Sequence, residues 1–285
     1  MPLPLLKSSL PLSSIKYTLA VAAGKGGVGK STMTVNLALA LRENGYRVGV
    51  MDTDLYGPSI RKMLPEDRMP RQNGEIIEPA LCQGIKMISI AYFRKEQEAT
   101  AVRAPIANGL IGHFIKNVAW GELDFLLIDF PPGTGDIQLT LGQKANLTAA
   151  LIVTTPQEVA VLDVKKAMYL FEQVKVPILG IVENMSGYFP VDGGEPVYLF
   201  GKGGGEKLAR ESGSPFLGAI PLDPIVCACC DKGESLFASD PNAQKLVTQA
   251  FIKLARQVDM HSQALKSALG SSLSPIELVW KEMGF

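Results

Sequence analysis

Short apolar runs alternate with longer amphipathic stretches along most of the chain. Residues 17–23 form an apolar, strand-like run, and residues 33–41 carry the spacing of a helix. Asn44-Gly45 supplies a helix stop, after which residues 47–51 return to a buried strand pattern. Further strands are expected at 85–90, 123–129, 149–153, 177–182 and 215–220. One helix is expected at 105–118. Another follows a Thr155-Pro-Gln-Glu158 capping box, with Val159, Leu162, Leu170 and Val174 on one face. A third begins after Pro241, where Val247, Ala250, Phe251, Leu254 and Val258 share a face. Residues 65–84 read as an irregular surface excursion and 186–198 as an irregular hairpin. Strands alternating with helices predict an α/β fold: a mostly parallel sheet with helices on both faces. The expected division is an arm at 1–15, one domain at 16–262 and a tail at 263–285.

Polar chemistry gathers where the predicted strands end, which is where such sheets bind ligands. Between the first strand and the first helix stands Gly24-Lys-Gly-Gly-Val-Gly-Lys-Ser-Thr32, which matches the phosphate-loop pattern G-x-x-x-x-G-K-[ST]. Gly24, Gly26, Gly27 and Gly29 let backbone N–H groups, with those of Val28 and Thr32, turn toward phosphate oxygens. Lys30 supplies a cation to the outer phosphates and Ser31 a hydroxyl to Mg²⁺. The extra lysine, Lys25, suits either charge developing at a γ-phosphate or plain solvation on a loop. Asp52 and Asp54 end the second strand, placed for Mg²⁺ organisation and water activation or for capping the turn at Gly57-Pro58. Asp129 ends the 123–129 strand and suits the opposite side of the Mg²⁺ shell. After it, Gly133 and Gly135 permit close approach to a γ-phosphate, while Asp136 reads as a helix N-cap. Asn184 carries the donors and acceptor that an adenine edge requires. A guanine reader of the Asn-Lys-x-Asp type would need other residues at Met185 and Gly187, so ATP is the expected nucleotide. Asp223, beyond the last strand, completes the nucleotide-contacting set.

Composition narrows the setting. The 285 residues are 47% hydrophobic, with 28 basic and 28 acidic side chains, so a sizeable core is expected and no global charge invites nucleic acid. Apolar runs are too short for a spanning helix, and a stable membrane anchor is not expected. Four cysteines in this length make no disulfide framework, which points to a reducing cytoplasm.

The set of motifs resembles the MinD/ParA-type ATPases, whose deviant phosphate loop carries the extra lysine. Met51-Asp-Thr-Asp-Leu-Tyr-Gly-Pro-Ser59, Asp129-Phe-Pro-Pro-Gly-Thr-Gly-Asp136 and Glu183-Asn-Met-Ser186 narrow the resemblance to the Mrp branch of iron–sulfur cluster carriers. The resemblance implies a homodimer in which Lys25 reaches the partner's nucleotide, slow ATP hydrolysis with Asp54 as the water-activating base, and apoprotein clients. It also implies nucleotide-switched partner binding without a cluster as the rival reading. One departure is plain. The branch carries a Cys-x-x-Cys pair shortly after Glu-Asn-Met-Ser, and residues 186–200 here contain no cysteine. The dense thiols are Cys227, Cys229 and Cys230, candidate ligands for a displaced cluster; Cys82 stands alone and reads as structural.

Overall fold

The computed structural model describes residues 14–54, 57–93, 104–133, 135–190, 193–242 and 244–270. The chain runs β1 (Ile15–Ala23), α1 (Lys30–Glu43), β2 (Val48–Asp52), α2 (Ile60–Met63), β3 (Arg71–Asn73), β4 (Ile76–Glu78), β5 (Ala80–Cys82) and β6 (Ile85–Ser89). It continues through α3 (Ala104–Asn117), β7 (Leu123–Asp129), α4 (Asp136–Lys144), β8 (Ala149–Thr154), α5 (Glu158–Gln173) and β9 (Ile178–Tyr188). The last elements are α6 (Gly204–Ser212), β10 (Phe216–Leu222), α7 (Pro224–Lys232), α8 (Leu236–Ser239) and α9 (Leu246–Gly270).

Eight strands form one sheet in the order β10-β9-β8-β1-β7-β2-β6-β5. Its ladders are parallel except at the β5 edge, which pairs antiparallel with β6. The alternation along β1 shows why the sheet needs two helical layers. Tyr17, Leu19, Val21 and Ala23 face a core shared with α1 and α9, whereas Ala20 and Ala22 face one shared with α3, α4 and α5. Successive strands turn away from β1 in opposite directions, β2 to one side and β8 to the other, so the loop after β1 sits at the switch point of the sheet.

Some expectations shift. Residues 65–84 hold a β3–β4 hairpin and the edge strand β5, because pairing organises segments whose composition alone looks irregular. Helix α5 begins at Glu158 with Gln157 as N-cap, and the Thr155 hydroxyl bonds the Gln157 side chain, so the expected capping box does not form. Its buried face is Ala160, Val164, Ala167, Leu170 and Phe171, leaving Val159 and Leu162 more than 60% exposed. The final helix buries Val247, Phe251, Leu254 and Val258, as the periodicity predicts. At roughly 1.5–3 kcal/mol each, these four side chains seat α9 on the sheet. It continues to Gly270 with Leu265 and Ala268 buried, so the helical packing runs past the boundary expected at 262. Most of the expected N-terminal arm and the chain beyond 270 lie outside the described residues.

Candidate functional site

The site is built where β1, β2 and β7 end side by side. The first glycine of the loop serves packing: a Cβ on Gly24 would lie 2.2 Å from the Asp163 carbonyl carbon of α5. Gly27 and Gly29 have φ of 82° and 83°, left-handed values that turn the chain back into α1. Gly26 and Gly27 are exposed at the crest, with nothing within 4 Å of an added Cβ, so the loop backbone there is open to a ligand. Lys25 is half-buried beside them. Val28 is buried, and its carbonyl accepts a hydrogen bond from Asn184 Nδ2 at 2.8 Å. Gly29 is the N-cap of α1, and a Cβ there would strike the same amide nitrogen at 2.3 Å.

The first turn of α1 converges on one carboxylate. Lys30 Nζ lies 2.7 Å from Asp129 Oδ2, and the Ser31 hydroxyl donates to the same oxygen at 2.7 Å. Thr34 Oγ1 donates to the other carboxylate oxygen at 2.8 Å, and Thr53 Oγ1 to the Asp129 carbonyl at 2.6 Å. Asp129 is fully buried, as is Asp52, its partner in the β2–β7 register. Neighbouring strands lie about 4.8 Å apart, so two carboxyls share a water-excluded space. Burial, and then the charge of Asp129, push the Asp52 carboxyl up to about 7, against hydrogen bonds from Ser89 Oγ at 2.8 Å and the Asp54 N–H at 3.2 Å. Asp54 accepts from the Gly57 N–H at 3.2 Å, so it caps the turn after β2 and still stands at the strand end. Ser31, Asp129 and Asp52 offer oxygen donors only, a set suited to Mg²⁺ rather than to a thiophilic ion.

Beside the loop opens a pocket of about 400 Å³. Gly29, Thr32, Asn184, Asp223, Met63 and Phe251 are among its walls. Met185 has φ of 54°, a left-handed turn directly after Asn184 at the pocket edge. Asp223 caps α7, its carboxylate accepting from the Ile225 N–H at 2.9 Å. The glycines at 203–205, ahead of α6, form a packing device. A Cβ on Gly204 would lie 2.2 Å from the Pro156 carbonyl oxygen, and the Gly205 N–H donates to Glu183 at 2.7 Å. In the loop after β7, Gly133 has φ of 97° and Gly135, not Asp136, is the N-cap of α4. Gln138 holds this turn, donating to the Pro131 and Pro132 carbonyls at 3.1 and 2.8 Å and accepting from the Gly135 N–H.

The three clustered cysteines do not form one ligand set. Positions 227 and 229 lie on opposite sides of α7: Cys229 is buried with its thiol 3.3 Å from Ser239 Oγ, while Cys227 is exposed. Among the described residues no three His, Cys, Asp or Glu side chains are grouped to hold a metal ion. Sequence reasoning passed over Thr34, Ser89 and Gln138. Thr34 had a signal, because it falls three residues after Ser31 on the same helical face. Gln138 stands three residues after the N-cap, the capping-box spacing. Ser89 is brought to Asp52 only by the β2–β6 pairing.

A parallel sheet with this loop at its switch point, and a buried acid beneath the loop's lysine and serine, defines a P-loop nucleotide-binding protein. The chain belongs to the ParA family of NUBPL iron-transfer P-loop NTPases, whose model matches residues 14–259. It is 47% identical to the iron-sulfur cluster carrier protein of Methanococcus maripaludis, over 82% of each chain. It is 42% identical to that of Aquifex aeolicus, over 85% of this chain and 67% of that one. Among solved structures, the nucleotide-binding protein of Archaeoglobus fulgidus in complex with ADP matches with a TM-score of 0.69 and 42% identity, covering 78% of this chain and 88% of that one. The cell division ATPase MinD of Pyrococcus furiosus matches with a TM-score of 0.64 at 22% identity, a likeness of fold. Among the described residues, no helix is long and apolar enough to cross a membrane.

Proposed function

We propose that the chain binds ATP with Mg²⁺ at this loop, hydrolyses it slowly as a homodimer, and couples the cycle to passing iron–sulfur clusters to apoproteins in the cytoplasm. The observation that carries this reading is the meeting of Lys30, Ser31 and Thr34 on the single buried carboxylate of Asp129. A triphosphate entering the loop offers Lys30 a denser negative charge than Asp129 does, and the open backbone at Gly26 and Gly27 receives phosphate oxygens. Bound Mg²⁺ would be held by Ser31 and Asp129, with Asp52 behind them, and would neutralise phosphate charge. Asp54 takes the proton of the attacking water. Lys25 of one protomer stabilises charge at the other's nucleotide. Asn184 spends one N–H on the Val28 carbonyl, so its other N–H and its oxygen remain for adenine, with Asp223 across the pocket.

The family and the names of its relatives supply the cargo. The thiols of this chain depart from the family's cluster site: residues 186–200 lack cysteine, and in α7 the buried Cys229 lies on the opposite side from Cys227. The isolated chain is therefore expected to hold little cluster while hydrolysing ATP. The test is anaerobic reconstitution of wild type beside a Cys227/Cys229/Cys230→Ser triple variant, read by iron content, visible absorption and Mg–ATP turnover. Turnover with little iron in both proteins is the expected result. Absence of ATP binding in the wild type would sink the reading. A stable cluster of about two irons per subunit, lost in the triple variant, would return cluster ligation to α7.

A further inference from the structure

Two of the three α7 cysteines share a setting that the third does not. Cys227 and Cys230 both line the pocket beside the phosphate loop, whereas Cys229 points away from it. They are three residues apart in a nine-residue helix, so their Cα atoms lie about 5 Å apart. That falls inside the window of roughly 4.4–6.8 Å that a disulfide spans. Their exposures differ in a useful way. Cys227 is open to solvent, with its thiol 3.7 Å from the Asp231 carboxylate. Cys230 is half-buried, and its sulfur accepts from Asn36 Nδ2 of α1 at 3.8 Å. An accessible first thiol with a sheltered second thiol one helical turn behind is the arrangement of an attacking and a resolving cysteine.

We propose that Cys227 and Cys230 form a dithiol in the pocket wall, which small-molecule disulfides oxidise to an intrahelical disulfide while the pocket is empty of nucleotide. Cys227, as thiolate, attacks one sulfur of the oxidant. The oxidant's S–S bond breaks, and the departing thiolate takes up the proton that Cys227 gave. Cys230 then attacks the Cys227 sulfur of the mixed disulfide, the second oxidant thiolate leaves, and it takes the Cys230 proton. Two electrons have passed from the protein sulfurs to the oxidant, and nothing else is consumed. The mixed disulfide stands in the pocket, so a bound base and the oxidant exclude one another. This shielding half rests on reading the pocket as the site of the nucleotide base.

The test treats the reduced full-length chain with oxidised glutathione, with and without ADP and Mg²⁺. Remaining thiols are then trapped by alkylation and the α7 peptide is fragmented by mass spectrometry. Wild type and Cys229→Ala should both yield a 227–230 link, two hydrogens lighter than the reduced peptide, while Cys230→Ser should stop at a glutathione adduct on Cys227. A link through Cys229, or Cys229→Ala left at the adduct, would overturn the dithiol. With nucleotide about 100-fold above its Kd, roughly one per cent of the protein is free, so linking should slow by about that factor. ADP binding is titrated in the same samples. Protein that binds ADP yet oxidises at an unchanged rate overturns the shielding and leaves the nucleotide reading standing. Protein that binds no ADP overturns both.

Discussion

The pair Asp52 and Asp129 offers the sharpest test of the site's electrostatics. Lys30 is only 7% exposed and Asp129 not at all, so their 2.7 Å pair is a buried one. Removing one partner of such a pair typically costs about 3–5 kcal/mol, because the other charge is left buried and uncompensated. Here a second carboxyl stands on the neighbouring strand, its pKa raised first by burial and then by the charge of Asp129. Asp129→Asn removes that repulsion, so Asp52 ionises more readily and serves as the countercharge for Lys30. The expected cost of Asp129→Asn without nucleotide is then only about 1–2 kcal/mol. Asp52→Asn should not destabilise the fold at pH 7, because the neutral amide removes the cost of a buried carboxyl whose folded pKa is raised. The double variant leaves Lys30 with neither partner and should lose the full cost of about 3–5 kcal/mol.

Urea unfolding at pH 7, free of nucleotide and Mg²⁺, measures all four corners of this cycle. The double variant should cost at least about 2 kcal/mol more than the sum of the single variants, within the range seen for groups in one network. Additive costs would refute the idea that Asp52 takes over. The same carboxyl predicts a pH dependence. Its folded pKa of about 7 lies above the ordinary 3.8, so between those values the fold holds a proton that the unfolded chain has released. Stability should therefore fall as pH rises from about 4 to 7. At ~1.4 kcal/mol per pH unit the loss is capped near about 4 kcal/mol. Asp52→Asn should flatten that slope, and an unchanged slope would assign it to other groups.

Lys30→Ala should weaken ATP binding by about 100-fold, the loss of a charge-assisted contact to phosphate; titration giving a value within about twofold of wild type would remove the loop from the centre of the site. Asp54→Asn should keep Mg–ATP bound while turnover drops by about 10²-fold or more, and unchanged single-turnover rates would deny it the role of base. Lys25→Ala should leave binding to one protomer intact and weaken the ATP-bound dimer, read by sedimentation; a dimer of unchanged affinity would return Lys25 to plain solvation. Gly24→Ala should cost about 1–3 kcal/mol in a urea melt, because its Cβ has only the α5 backbone to displace. Gly26→Ala, with open space around it, should melt like wild type, and equal losses at the two positions would undo the packing argument.

Much of this site could be read from the chain because its strands are written twice over. In β7, Phe125 and Leu127 face one core and Leu126 and Ile128 the other, so the run is apolar throughout and the acid that ends it stands out. The same holds for β1 and the loop that follows. Where several interactions compete for a segment, the pattern gives less away. The β3 and β4 segments are three residues each, β3 wholly polar and β4 with one buried side chain, and only pairing makes them strands. In α5 the larger residues Val159 and Leu162 drew the predicted face outward, while the true face relies on Ala160 and Ala167.

The glycines show why the phosphate-loop pattern was legible before its physical division of labour was. A pattern match treats Gly24, Gly26, Gly27 and Gly29 as one device for reaching phosphate, yet the fold gives them different tasks. Gly24 continues the face of small residues begun by Ala20 and Ala22, and the absence of a Cβ lets the α5 backbone close over the end of β1. Gly29 clears room for the Asn184 amide, whose bond to the Val28 carbonyl ties the loop to the end of β9. That leaves Gly26 and Gly27 as the open crest toward a ligand. The loop's shape is therefore fixed from outside, by α5 on one flank and β9 on the other, before any phosphate arrives. A loop held in this way has little conformational entropy left to lose on binding, so more of each phosphate contact appears as affinity.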